Sequence, residues 1–341
     1  MSVPADQLNI GYRFSAIDLP SLPPPDVVEP LDYETLLQAR IDDYVTRMRA
    51  HDPGFAVPQA SDPAYQVLAA GAYREVVLRQ RINDAARQTL LAFATGDNLD
   101  HLGALKGVSR LVVEEADPDA TPPTDAVYES DDDYRRRIAL APEGFSVAGP
   151  EGAYIFHGLT AGNPVTLDGV TSPEAGLVEI RYRFDPEATA AQIKDISAVS
   201  PDPGDIVITV LSREGDGEPD QSLIDEVTEQ LSDQHIRPMD DNVSVQGAEI
   251  LEYEIEARLW LYPGPGESET LVAAQSAAEA YAEDRHRLGR DVTRSTLFGA
   301  LSVPGAVQRI ELLHPASDIV ADDQQAAYCT GITLTVEGRD E

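Results

Sequence analysis

Cysteine is nearly absent from this sequence: Cys329 stands alone among 341 residues. An internal disulfide is therefore excluded, and so is any Cys-x-x-Cys metal site. Lysine is almost as scarce, with only Lys106 and Lys194. Against 60 acidic residues stand 25 basic ones, a formal charge of −35. Such a surface repels phosphate backbones and anionic headgroups, which argues against nucleic acid and membrane as partners. Long apolar runs are missing too. The longest, residues 67–73, is broken by Gly71 and followed by Arg74, far short of the ~18 residues a membrane helix needs. No basic segment leads into an apolar one near Met1, so no secretion signal is read there.

Recognisable chemistry is also scarce. The six histidines (His51, His101, His157, His235, His286 and His314) form no His-Glu-x-x-His and no pair at helical spacing. Asp131, Asp132 and Asp133 sit where a helix opens, and neighbouring side chains on a helix point apart. Asp216, Glu218 and Asp220 alternate like a calcium loop, but Pro219 interrupts them and no glutamate follows at the required distance. Gly144-Phe145-Ser146-Val147-Ala148-Gly149 misses the nucleophile-elbow spacing by one residue. The sequence thus nominates no catalytic residue, no cofactor-binding residue, no metal ligand and no cofactor, and no enzyme is expected.

What is present is secondary-structure patterning. Pro20, Pro23, Pro24, Pro25 and Pro30 make the first 30 residues an extended arm. A helix is expected over 31–50, with Leu36, Leu37, Ile41, Tyr44, Val45 and Met48 at helical spacing. A second opens at Asp62-Pro63 and meets no breaker until Gly96, over 30 residues or about 50 Å. One of its faces carries Leu68, Ala69, Ala72, Val76, Ile82, Ala86, Leu90 and Phe93. Small residues there suit close packing in an intermolecular bundle, so these eight are the candidate subunit-interface residues. Acidic, proline-bearing residues 114–129 read as a linker. A helix then opens at Ser130, and 187–196 reads as a short helix. Strands are expected at 165–170, 177–184, 206–211, 251–262, 307–313 and 332–336, with helices over 221–234 and 268–288. In 251–262 apolar and charged residues alternate, as in a half-buried strand. The fold class is α+β: an N-terminal long-helix region followed by α/β sandwich domains. The expected division is 1–113 arm and helical bundle, 114–129 linker, 130–245 central α+β domain and 246–341 C-terminal α+β domain.

Several stretches, in order, resemble the baseplate J family of contractile phage tails and related injection systems. They are Asp62-Pro63-Ala64 with Ala70–Glu75 and Leu78–Ala86, then Thr95–Leu102, then Tyr134-Arg135-Arg136-Arg137-Ile138. Ala141–Gly144 leading to Ala148–Tyr154, then Pro203–Ile206, Ile236–Asp241, Leu288–Asp291 with Ser295, and Asp318–Val320 complete the set. One departure is a segment around 177–196 that is longer than the family pattern, read as an insertion. The resemblance implies a structural subunit of the virion's tail baseplate, assembled in the host cytoplasm. It implies a wedge that forms a ring around the central hub and anchors the sheath. The implied partners are a second copy of the chain, a baseplate I-like wedge protein, neighbouring wedges, hub and sheath. Two other readings compete. A metal-dependent hydrolase using clustered aspartates would show a cleft of converging carboxylates. A host-binding tail protein would show a repetitive or trimeric pattern.

Overall fold

The computed structural model describes residues 31–341 except 115, 119, 121, 147–148, 163–164, 175–176, 185–189, 234–235, 239, 264–265 and 340–341. For 165–174 and 177–184 it describes the backbone alone. The proline-rich arm lies outside the described residues. By its contacts the described chain divides into two units, one of residues 31–109 and 131–138, the other of 110–130 and 139–341.

The first unit is helical. Asp32 takes the Glu34 N–H and opens α1 (Tyr33–Arg49); Pro63 opens α2 (Pro63–Arg87). Instead of running on toward Gly96, α2 stops at Arg87. Polar side chains claim the backbone groups that a longer helix would have paired. The Gln88 carboxamide accepts the Thr95 N–H at 2.9 Å. Arg135 donates to the Leu91 and Ala94 carbonyls, both at 2.8 Å. Gly96, expected to close the long helix, opens α3 (Gly96–Ala104) with φ +52°.

The arginine-rich run lies on α4 (Asp131–Leu140). Its Tyr134 hydroxyl donates to the Val108 carbonyl at 2.8 Å, and Arg137 donates to that of Ser109 at 3.2 and 3.0 Å. A Cβ on Gly103 would fall 1.9 Å from the Tyr134 hydroxyl, so only glycine fits there. The three aspartates diverge, as their spacing requires. Asp131 accepts the Gly96 N–H, Asp132 pairs with Arg135, and Asp133 is buried.

The second unit begins with a small antiparallel ladder, β1 (Val112–Glu114) and β2 (Val127–Tyr128), inside the segment that reads as a linker. Asp117 and Thr124 exchange two backbone bonds of 3.0 Å, and buried Glu129 accepts the Leu111 N–H. A 3-10 turn at Glu143–Phe145 and α5 (Glu151–Leu159) follow. Next comes the antiparallel pair β3 (Val165–Glu174) and β4 (Leu177–Phe184).

The next sheet has the order β5 (Ile193–Val199), β6 (Asp205–Ser212), β7 (Asn242–Gly247). β5 runs antiparallel and β7 parallel to β6, with α6 (Gln221–Ser232) in the crossover. Of the expected 187–196 helix only a 3-10 turn at Ala190–Gln192 lies among the described residues, and a strand starts at Ile193. Ile193 and Ile196 are buried with Tyr154, Leu159 and Val227, and that packing outweighs a weak helical pattern.

β7 runs into β8 (Glu249–Leu261) with Ala248 alone between them. β8 is central in the second sheet, parallel to β10 (Gln325–Arg339) and antiparallel to β9 (Val307–His314). Its alternation is as read: Tyr253, Ile255, Ala257, Leu259 and Leu261 are buried, while Glu252, Glu254 and Arg258 are exposed. α7 (Glu267–Arg285) and α8 (Arg294–Leu301) add Ala278, Tyr281, Leu297 and Leu301 to that core. The fold is α+β, with helices first and sheet layers after.

Two of the family-like segments meet in the second unit. The Tyr154 hydroxyl donates to Asp241 Oδ2 at 2.6 Å, and Gly149, at φ +74°, lies against Pro238 and Asp241. Burial and the Asp241 carboxylate push the Tyr154 phenol pKa up. Tyr154→Phe removes a buried bond to a charged acceptor and should lower stability by about 1–3 kcal/mol in urea unfolding. Limited proteolysis should cut first within 116–126, because most described residues of that stretch are exposed. Earlier cleavage elsewhere in 31–341 would refute this.

Candidate assembly surface on the second helix

α1 buries Leu37, Ile41 and Val45 against Ala72 of α2, with Tyr65, Leu68 and Ala69 at the margin. The contact is closed by charge: Arg40 donates to Glu75 Oε2 at 3.1 and 2.9 Å, and Arg79 to Glu75 Oε1 at 2.8 Å. Hydrogen bonds from Arg40 and then Arg79 hold the Glu75 carboxyl below its ordinary range. A Cβ on Gly71 would meet the Arg40 guanidinium at 2.6 Å.

The eight candidate interface residues therefore divide. Leu68, Ala69 and Ala72 face α1 within the chain. Val76, Ala86 and Phe93 are half-buried, while Ile82 and Leu90 are exposed. Leu90 and Phe93 lie beyond the end of α2, on the turns that follow it. α1 has 17 residues and α2 has 25, so about 12 Å of α2 extends past what α1 could match.

Of a second set of exposed apolar residues only Ile82 was among the eight; Val67 and Leu78 were not singled out from the sequence. Val67, Leu78 and Ile82 are 72%, 58% and 45% exposed. At ~100° per residue they fall within about 60° of one another and roughly 110° from Ala72. Arg74 falls on the same face between Val67 and Leu78, and Gly71 there lies against Arg40 of α1, so these exposed apolar residues are spaced along α2 rather than contiguous. Spacing could have found them, but the continuous apolar run of 67–73 obscured it. Exposed large apolar residues on one helix face make that face the candidate contact surface.

Among the described residues the other sequence candidates are not brought together into one site. Among the described residues no three His, Cys, Asp or Glu side chains are placed to hold a metal ion. Asp216 accepts the Glu218 N–H in a turn, and Asp220 caps α6 through the Leu223 N–H at 2.8 Å. His157 bonds the Gly144 carbonyl at 2.9 Å, and burial holds its pKa below the ordinary histidine value. No helix among the described residues is long and apolar enough to cross a membrane.

Ala72→Arg places an unpaired charge between α1 and α2 and should cost about 3–5 kcal/mol. Leu78→Asp and Ile82→Asp change exposed positions and should each stay within about 0.5 kcal/mol of the wild type. Urea unfolding followed by circular dichroism separates the two classes. Equal losses in both would show Leu78 and Ile82 to be core.

Known proteins share these features of sequence. Residues 60–117 match the model of the baseplate J-like N-terminal domain, and residues 253–335 that of the baseplate J-like protein C-terminal domain. Over 329 residues the chain is 42% identical to baseplate protein J of Escherichia phage P2, covering 95% of this chain and 99% of that protein. Among solved structures there is a likeness to the six-fold symmetrised cryo-EM baseplate of the anti-feeding prophage. It has 13% identity and a TM-score of 0.30, over 40% of this chain and 34% of that one.

Proposed function

This chain belongs to the baseplate J family, and we propose that it is a structural subunit of the wedge of a contractile tail's baseplate. The observation that carries this reading is identity along nearly the whole of a phage baseplate protein, not over one domain. It acts as an assembly part of the virion tail and not as an enzyme. Of the residues weighed for chemistry in the sequence, Asp216 holds a turn, Asp220 caps α6 and His157 bonds the Gly144 carbonyl.

In this reading the helical region within 1–113 is the joining element. Leu78, Ile82 and Leu90, with Val67, are covered by helices of a second copy and of a smaller baseplate I-like protein. Leu68, Ala69, Ala72, Val76, Ala86 and Phe93 back that surface. Segment 114–129 links it to the α+β domains 130–245 and 246–341, which meet neighbouring wedges, the hub and the sheath. The exposed apolar residues of α2 support the first part. The chain's formal charge of −35 supports protein partners over nucleic acid.

The test is assembly with Leu78→Asp and Ile82→Asp combined in the full chain. The variant should keep the wild-type circular dichroism spectrum and melting temperature. It should fail to join its wedge partners, and electron micrographs should show tails without a complete baseplate. Complete tails carrying the double variant would overturn this surface.

A further inference from the structure

The two sheet layers of the second unit are joined by one residue and one polar seam. Ala248 is the whole connection between β7 and β8. Its N–H is held by the Val210 carbonyl of the first layer at 3.0 Å, and the next N–H, of Glu249, by the Gln324 carbonyl of the second at 3.0 Å. Apolar contact here is slight: Leu211, Ala248 and Ala326 form a small cluster with Ile250 and Leu288 at its edge. Polar groups carry the rest. Lys194 of β5 is 6% exposed and donates to Glu283 Oε1 of α7 at 2.7 Å and to His286 Nδ1 at 3.0 Å. His286 Nε2 lies 3.0 Å from the Asp216 carbonyl. Asp195 Oδ2 accepts the Leu288 N–H at 3.2 Å, and the Gly289 N–H reaches the Gln325 carbonyl at 3.1 Å.

This arrangement fixes the histidine tautomer. A carbonyl can only accept, so Nε2 carries the proton; an ammonium can only donate, so Nδ1 is bare. The imidazole is an acceptor on one side and a donor on the other, and only its neutral form satisfies both. A second proton would abolish the bond from Lys194 and set two cations 3.0 Å apart. Burial and the Lys194 ammonium oppose a second proton on the ring, and together they outweigh the groups that favour it. Arg213 from the turn after β6 and Arg287 from the segment after α7 bring further positive charge toward Lys194. The Tyr328 ring of β10 lies 5.2 Å from the imidazole. Glu283 and the Asp216 carboxyl oppose, and Glu283 is 71% exposed, so water screens it.

We infer that Lys194 and His286 form a proton-sensitive clasp between the two sheet layers, closed while His286 is neutral and opened about Ala248 when it is protonated. Burial first, and the Lys194 charge second, hold the folded His286 pKa below its ordinary 6.5. A depressed histidine pKa gives stabilisation that is complete above pH 6.5 and lost as the pH falls through the folded value. The inference stands on this chain's own geometry and not on its place in a baseplate.

Hydrogen–deuterium exchange of the full chain at pH 7.5 and pH 5.0, corrected for intrinsic rates, tests it. Seam amides at 213–217, 248–249, 286–289 and 324–326 should lose protection about tenfold at the lower pH, while those of 208–211 keep theirs. In His286→Gln the carboxamide can accept from Lys194 and donate to Asp216 but cannot titrate, so the pH step should vanish. In Lys194→Met the seam should exchange fast at both pH values. Unchanged seam protection in the wild type would overturn the inference. So would a pH step that survives in His286→Gln, or one confined to 143–157, where His157 lies.

Discussion

Arg135 carries a charge into the interior and gives two of its bonds there to backbone. Its guanidinium holds the carbonyls of Leu91 and Ala94 and pairs with Asp132. A buried cation is tolerated only when its donors are met, and here the acceptors are carbonyls that a continuing helix would have used itself. The same side chain therefore ends α2, shapes the turns 88–95, and sets where α3 begins. Tyr134 and Arg137 do the same for Val108 and Ser109. The length of α2, and so the share of its face that α1 leaves open, follows from this grip.

That dependence explains which features were legible in the sequence. The start of α2 was visible because Pro63 is a local signal; its end was not, because the residue that stops it lies some forty positions later. β8 was plain from its alternation, whereas β7, with only Val243 and Val245 between polar residues, carried too weak a pattern. β10 looked short because Tyr328, Cys329, Thr330 and Gly331 break its rhythm at a bulge. The small-residue face of α2 was read as a face between subunits, and Leu68, Ala69 and Ala72 of it pack on α1 within the chain. Their pairing with α1 had no local signal, whereas the exposed Val67, Leu78 and Ile82 lay at a spacing the sequence does show.

Near-exclusive use of arginine over lysine suits what the cations do. Arg40 and Arg79 grip the two oxygens of Glu75 from two sides. Arg258 lies between Glu311 and Glu337 across three strands, and Arg309 stacks 3.6 Å above the Trp260 ring. A planar fork with five donors reaches separate acceptors in a fixed geometry, where an ammonium offers three donors around one point. Lys194 is one of two exceptions, in a place where a compact point charge fits.

The passage of β7 into β8 through Ala248 also decides how the second unit bears a mechanical load. A pull along that line travels through backbone and not through side-chain contacts. β8 is flanked by β10 and β9, and ladder bonds lie across the strand direction. Tension along β8 therefore loads its ladder bonds together, in shear, and no single end can peel first. The sheet is stiff along that axis and compliant across it.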